Sequence, residues 1–220
     1  MNNPDTTHQA SEPSLHSKFL QATPFIESEN KEIMAFVEKH TKPQQNNREK
    51  AISLFYAVRD LIRYDPYQID LSVNGLKAGT TLKNTYGWCV SKAILLTACY
   101  RSLGIPAQLG FADVRNHQAS QKMTDYLKTD IAYWHGYSLV YLNGQWLKAT
   151  PAFNLALCEK SGWIPVEFDG RHHATFPNKT LHGQKHIEYL TDRGTYADVP
   201  LDKIIKTYQE VYPHVMKRWK

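Results

Sequence analysis

The chain changes texture at Leu103-Gly104-Ile105-Pro106, and that boundary limits what it can fold into. Upstream, Val90 to Ser102 is rich in Ala and Leu, and a Gly-then-Pro sequence is a helix stop signal. Earlier still, Arg48 to Arg63 places Ile52, Phe55, Tyr56, Arg59 and Ile62 at three- and four-residue steps, the period of an amphipathic helix. Ser28-Glu29-Asn30 opens another helix that should run to about His40, and Thr41 to Asn47 reads as a polar connector. Downstream, Ala107 to Val114 alternates like a strand. Tyr133 to Tyr141 and Gln145 to Ala149 flank Asn143-Gly144, a strong two-residue hairpin signal. Helices first and an antiparallel sheet later is the pattern of an α+β domain.

The remaining stretches are read more plainly. Residues 1–22 are polar and expected to be flexible. Residues 67–86 read as a surface loop with a turn at Asn74-Gly75, and 115–130 as a polar excursion. Residues 151–200 read as irregular, and Asp202 to Met216 as a closing helix. This gives one domain over 23–220, with a core of about 25–154 and an extension over 155–220.

Composition narrows the function classes. The 220 residues are 42% hydrophobic and 12% aromatic, ordinary for a folded chain. No apolar run approaches the roughly 18–20 residues of a membrane helix. The N-terminal stretch lacks the apolar segment of a secretory signal. The net charge of +5 is spread along the chain apart from Lys217-Arg218-Trp219-Lys220, which argues against a nucleic-acid footprint. Three cysteines, without close pairs, make no disulfide framework. The expectation is a cytoplasmic protein with reduced thiols.

Chemistry concentrates at two points. Asn84-Thr85-Tyr86-Gly87-Trp88-Cys89 breaks directly into the apolar helix, so Cys89 falls at a helix start. Exposed N–H groups there, and a neighbouring imidazole, favour a thiolate. Trp134-His135 leads into the hairpin strand and supplies the imidazole. Cys99, in mid-helix, and Cys158, after Leu155-Ala156-Leu157, read as packing residues, the common state of a free cysteine.

In this order the features resemble the transglutaminase-like superfamily, a circularly permuted relative of papain-like cysteine enzymes. The resemblance rests on Val58-Arg59-Asp60-Leu61-Ile62-Arg63-Tyr64, on Gly87-Trp88-Cys89 with its helix and exit turn, and on His135-Gly136-Tyr137 through Trp146. It covers about residues 25–154 and implies a papain-like core with a Cys-His-Asp triad. The aspartate would precede a proline after the second hairpin strand, where this chain has Thr150-Pro151. Thr150 is therefore the first candidate to orient His135, and Asp169, in Phe168-Asp169-Gly170, the second.

The backbone N–H of Cys89 is a natural oxyanion donor. Asn84 and Tyr86 are candidates for a second donor, and Trp88 and Trp134 for walls of the site. His182 and His186 have a four-residue spacing, but Gly183 interrupts it and no carboxylate motif accompanies them, so neither metal nor cofactor is expected. The resulting expectation is a thioester-forming enzyme that hydrolyses an amide or isopeptide bond in a peptide, protein or small amide. Transfer to an amine, or an inactive binding domain on the same fold, are the alternatives.

Overall fold

The computed structural model describes residues 16–216. After a 3-10 turn at Ser17–Phe19 come α1 (Lys31–His40), α2 (Asn47–Leu61), β1 (Arg63–Tyr64), α3 (Ala78–Asn84), β2 (Tyr86–Gly87) and α4 (Cys89–Ser102). The second half runs β3 (Ala107–Asn116), α5 (Gln121–Leu127), β4 (Ile131–Leu142), β5 (Gln145–Ala149), α6 (Leu155–Ser161), β6 (Ile187–Tyr196), α7 (Leu201–Val211) and α8 (Pro213–Met216). A four-stranded sheet has the order β5-β4-β3-β6, antiparallel throughout. This is the α+β fold expected from the sequence.

Local chemistry sets the helix starts. Asn30 caps α1 by accepting from the Glu32 N–H, and Asn46 with Glu49 forms a reciprocal capping box on α2. α4 is different: every residue from Cys89 to Arg101 is buried. A helix covered all round belongs in the core, and α4 packs between α1, α2 and α3 on one side and the sheet on the other.

Two cations within α4 each donate to three backbone carbonyls. Lys92 Nζ donates to the carbonyls of Arg59 (2.9 Å), Ile62 (2.6 Å) and Ala152 (2.8 Å), joining the end of α2 to the segment after β5. Arg101 donates to the carbonyls of Ala107, Gln21 and Ala197.

Four stretches depart from the sequence reading. Residues 67–86 hold α3 and β2 rather than a continuous loop, and β2 pairs in parallel with β1. Residues 115–130 hold α5, and 151–200 hold α6 and β6. α3, α5 and α6 have seven residues each, too short to announce themselves by periodicity and dependent on tertiary contacts. β6 is an edge strand whose burial runs as almost continuous exposure, so it lacks the alternation that reveals a strand. Of the segment read as flexible, residues 1–15 lie outside the described residues. Residues 16–22 are packed: the His16 ring lies 4.2 Å from Tyr141, Phe19 lies 5.1 Å from Trp146, and Arg101 holds Gln21.

Candidate active site

Cys89 is the first residue of α4 and Trp88 its N-cap. The turn into the helix is tight. A Cβ on Gly87 would come 2.5 Å from Ser91 Oγ, and that oxygen accepts the Trp88 N–H at 3.0 Å. Gly87 itself is fixed by pairing with Tyr64 and by accepting the Asp65 N–H. The sequence thus turns a strand stub into a helix at the thiol.

α4 meets β4 at close range. A Cβ on Gly136 would lie 2.9 Å from the Val90 Cα, so only glycine lets the helix start sit on the strand. The backbone N–H groups of Gly136, Val90 and Cys89 face the Cys89 sulfur. Burial nevertheless dominates and pushes the thiol up to about 11, against the pull of those amides.

His135 is the residue before Gly136 on β4, whereas the sulfur belongs to α4, and among the described residues no hydrogen bond joins the two. Side chains alternate along β4. Gly136 and Ser138 face α4, the latter through a 2.8 Å hydroxyl contact with Thr97. The His135 ring packs with Phe176 at 4.8 Å, Tyr189 at 6.3 Å and Tyr137 at 6.4 Å. Burial lowers its pKa to about 3, which keeps the ring neutral. Its Nε2 is buried without a hydrogen-bond partner.

A bulge aims this histidine. Asp113 of β3 stands opposite Tyr133 and Trp134, between the pairs Ala112–His135 and Val114–Ala132. Trp134 has φ of 56°, a left-handed conformation rare for a bulky residue. Asp113 accepts the Trp134 N–H at 3.1 Å and holds Arg193 with both carboxylate oxygens, and the guanidinium lies 5.3 Å over the Trp134 ring. Strained backbone of this kind persists only where its surroundings enforce it. Asp113 and Arg193 carry no local sequence signal for this role, since their partnership depends on β6.

The other candidates fall as follows. Thr150 follows β5, is fully buried, and donates its backbone N–H to the Ala174 carbonyl. Its Oγ1 forms no hydrogen bond, and the Tyr189 hydroxyl faces it outside hydrogen-bond geometry. A hydrogen bond between Thr150 and His135 is therefore not formed. Asp169 is exposed, and its carboxylate accepts the N–H groups of Arg171 and His172 and contacts the His172 ring at 2.7 Å. Those bonds hold it well below the usual carboxylate range. Its neighbour Gly170 lies against Arg48 and Ile52 of α2. The structure does not bring Asp169 to His135.

Trp88 and Trp134 are both buried. The two N–H groups of Trp134 are spent on Asp113 and Thr207, and the Trp88 backbone N–H on Ser91. Asn84 and Tyr86 border a polar cavity of about 250 Å³ together with Gly87, Trp88 and Ser91. Cys99 and Cys158 are buried free thiols. His186 packs its ring 4.7 Å from Trp163, whereas His182 lies at the surface beside Gly162. Among the described residues no group of three or more His, Cys, Asp or Glu could hold a metal ion. No helix of the described residues is long and apolar enough to cross a membrane.

A helix-borne cysteine abutting a histidine-bearing hairpin defines a known class. The chain belongs to the transglutaminase-like superfamily, whose family model matches residues 34–168. Among solved structures it is similar to a candidate cysteine protease from Cytophaga hutchinsonii, with a TM-score of 0.53 at 16% identity. The match covers 86% of this chain but 49% of that one, so the chain spans about half the length of that protein. A candidate protease from Parabacteroides distasonis matches over 54% of this chain and 23% of its own, at 17% identity and a TM-score of 0.38. No curated protein matches the chain in sequence.

Proposed function

We propose that the protein is a thiol-dependent acyl-transfer enzyme that hydrolyses an amide or isopeptide bond, with Cys89 as nucleophile and His135 as general base. The observation that carries this reading is the position of the Cys89 sulfur, at a helix start faced by three backbone N–H groups, where α4 rests on β4 at Gly136, the residue after His135. A neutral imidazole can take the thiol proton. The thiolate then attacks the carbonyl carbon, and the leaving amine departs with the proton returned from the imidazolium. Water, deprotonated by His135, resolves the thioester and releases the acid. Thr150 is the residue assigned to orient the ring once the site is engaged. Transfer to an amine would differ only in the second acceptor. The unpaired thiols suit a reducing, cytoplasmic setting.

Cys158 provides an internal control. Burial pushes it to about 11, the same level as Cys89, but it stands within α6 rather than at a helix start. If burial alone governed reactivity, the two thiols would alkylate alike. With His135 as base, iodoacetamide at pH 7 should modify Cys89 at least about 10-fold faster than Cys158, and His135→Ala should remove the difference. Mass spectrometry of the modified peptides gives both rates. Equal rates in the wild type would favour the second reading, an inactive binding domain, to which the missing triad carboxylate at Thr150 lends support.

A further inference from the structure

Beside the Cys89–His135 region lies a cleft of about 690 Å³, well within the range of small-molecule and peptide sites. Seven aromatic residues are among those that line it, including Tyr64, Tyr67, Tyr133, Phe153, Trp163 and Tyr212. The wall reaches the site through short ring contacts. Phe153 lies 4.9 Å from Tyr64 and 4.5 Å from Phe176, the ring that covers His135. On the thiol side, Tyr208 of the cleft lies 6.3 Å from Trp88. Burial raises the Tyr64, Tyr208 and Tyr212 phenols, and the nearby Cys89 thiol adds to that effect in each.

The charges around this cleft are already matched. Arg63, Asp65, Lys122 and Asp130 line it, two of each sign. Arg63 pairs with Asp65 at 3.0 Å and Asp130 with Arg115 at 3.3 Å, while Lys122 sits 4.6 Å over the Tyr67 ring. A charged ligand would have to break one of these contacts, whereas a neutral ring can lie against the aromatic walls and displace only water.

Building on the nucleophile assigned to Cys89, we infer that this cleft is the specificity site for the acyl substrate and takes an uncharged aromatic or large apolar side chain. The reactive carbonyl then lies toward Cys89, beyond the inner wall formed by Tyr64 and Phe153. Those two rings must give way for the carbonyl to reach the sulfur.

The test uses the full chain and chloromethyl ketones of N-acetyl-phenylalanine, N-acetyl-aspartate and N-acetyl-lysine. In each, Cys89 forms a C–S bond as the C–Cl bond breaks, chloride leaves, and the thiol proton passes to His135. Relative to iodoacetamide, the phenylalanine reagent should label Cys89 at least about 10-fold faster than the other two, the discrimination typical of an apolar pocket. Met123→Asp, on α5 at the cleft, should erase that preference and turn it toward the lysine reagent. NMR with unreactive N-acetyl-phenylalaninamide reads binding without any chemistry, with maltose as a neutral saccharide control. Amide-induced shifts confined to cleft residues support the assignment. Faster labelling by a charged reagent, or shifts with maltose and none with the amide, would overturn it. Failure of iodoacetamide to modify Cys89 at all would instead remove the nucleophile, and the amide titration alone would then decide the cleft.

Discussion

Thr150 offers a clean separation between stability and chemistry. Its hydroxyl is fully buried and unbonded, a state that costs roughly 1–3 kcal/mol. Thr150→Val keeps the shape and removes that hydroxyl, so the thermal midpoint should stay level or rise. If the hydroxyl turns to meet His135 Nε2 when the site is engaged, the same change should slow Cys89 alkylation at pH 7 by roughly 10–100-fold, the cost of losing a group that orients a reacting side chain. A midpoint that rises with no loss of rate would remove Thr150 from the site. The place of Thr150 could be read from sequence because it follows a hairpin of fixed register. That its hydroxyl and the His135 ring are not bonded could not, because the ring packs against Phe176 and Tyr189, which arrive from segments without a recognisable pattern.

The junction of α4 with β4 is where elements decide function. The sequence could be read for both elements, since one has a Gly-Pro stop and the other an Asn-Gly turn, signals local to each. It could not reveal the contact between them. Gly136 stands 2.9 Å, by its absent Cβ, from the Val90 backbone, and a backbone atom cannot rotate away. Gly136→Ala should therefore lift the start of α4 off the strand, lower Cys89 alkylation by at least about 10-fold, and leave far-UV circular dichroism unchanged, in line with the steep cost of small misplacements at a reacting centre. Wild-type alkylation by the alanine variant would show that the approach is not needed.

Lys92 joins elements in a different way, with three carbonyls around one ammonium at the end of α2, where a cation also suits the helix dipole. Burial lowers its pKa from 10.5 to about 7. Between those values the unfolded chain holds a proton that the folded chain has released, so this group makes stability rise with pH from 7 to 10.5. Lys92→Met should destabilise the fold by about 1–3 kcal/mol through its stranded carbonyls and flatten that rise. Urea unfolding at pH 7 and 9.5 measures both effects, and an unchanged slope in the variant would show that Lys92 keeps its proton throughout.

At the scale of the whole molecule, the core helix also holds two segments far apart in sequence, the one before α1 and the one between β6 and α7. Arg101 donates to Gln21 and Ala197, each at 2.6 Å, and to Ala107 at 2.9 Å. Thr23 and Asp198 are bonded beside it at 2.8 Å. One guanidinium in α4 thus fixes the segment that precedes α1 and the segment that follows β6, and β6 carries the Arg193 that braces the bulge before His135. This arrangement was invisible in the sequence, where Arg101 is one basic residue near a helix end and nothing marks 21 or 197. An ammonium cannot replace it, because each of the three carbonyls is met by a different nitrogen of the planar fork, which a single nitrogen cannot span. Arg101→Lys and Arg101→Met should both lower stability, the methionine variant by about 3 kcal/mol or more. Amide exchange should quicken first at residues 20–23 and 195–199, and only later within α4. Thr23→Val, which cuts one neighbouring bond and leaves the core helix untouched, should reproduce the early exchange at both segments with a much smaller loss of stability. Faster exchange spread evenly over the sheet and helices in all three variants would mean that Arg101 supports the core in general and does not clasp these two segments.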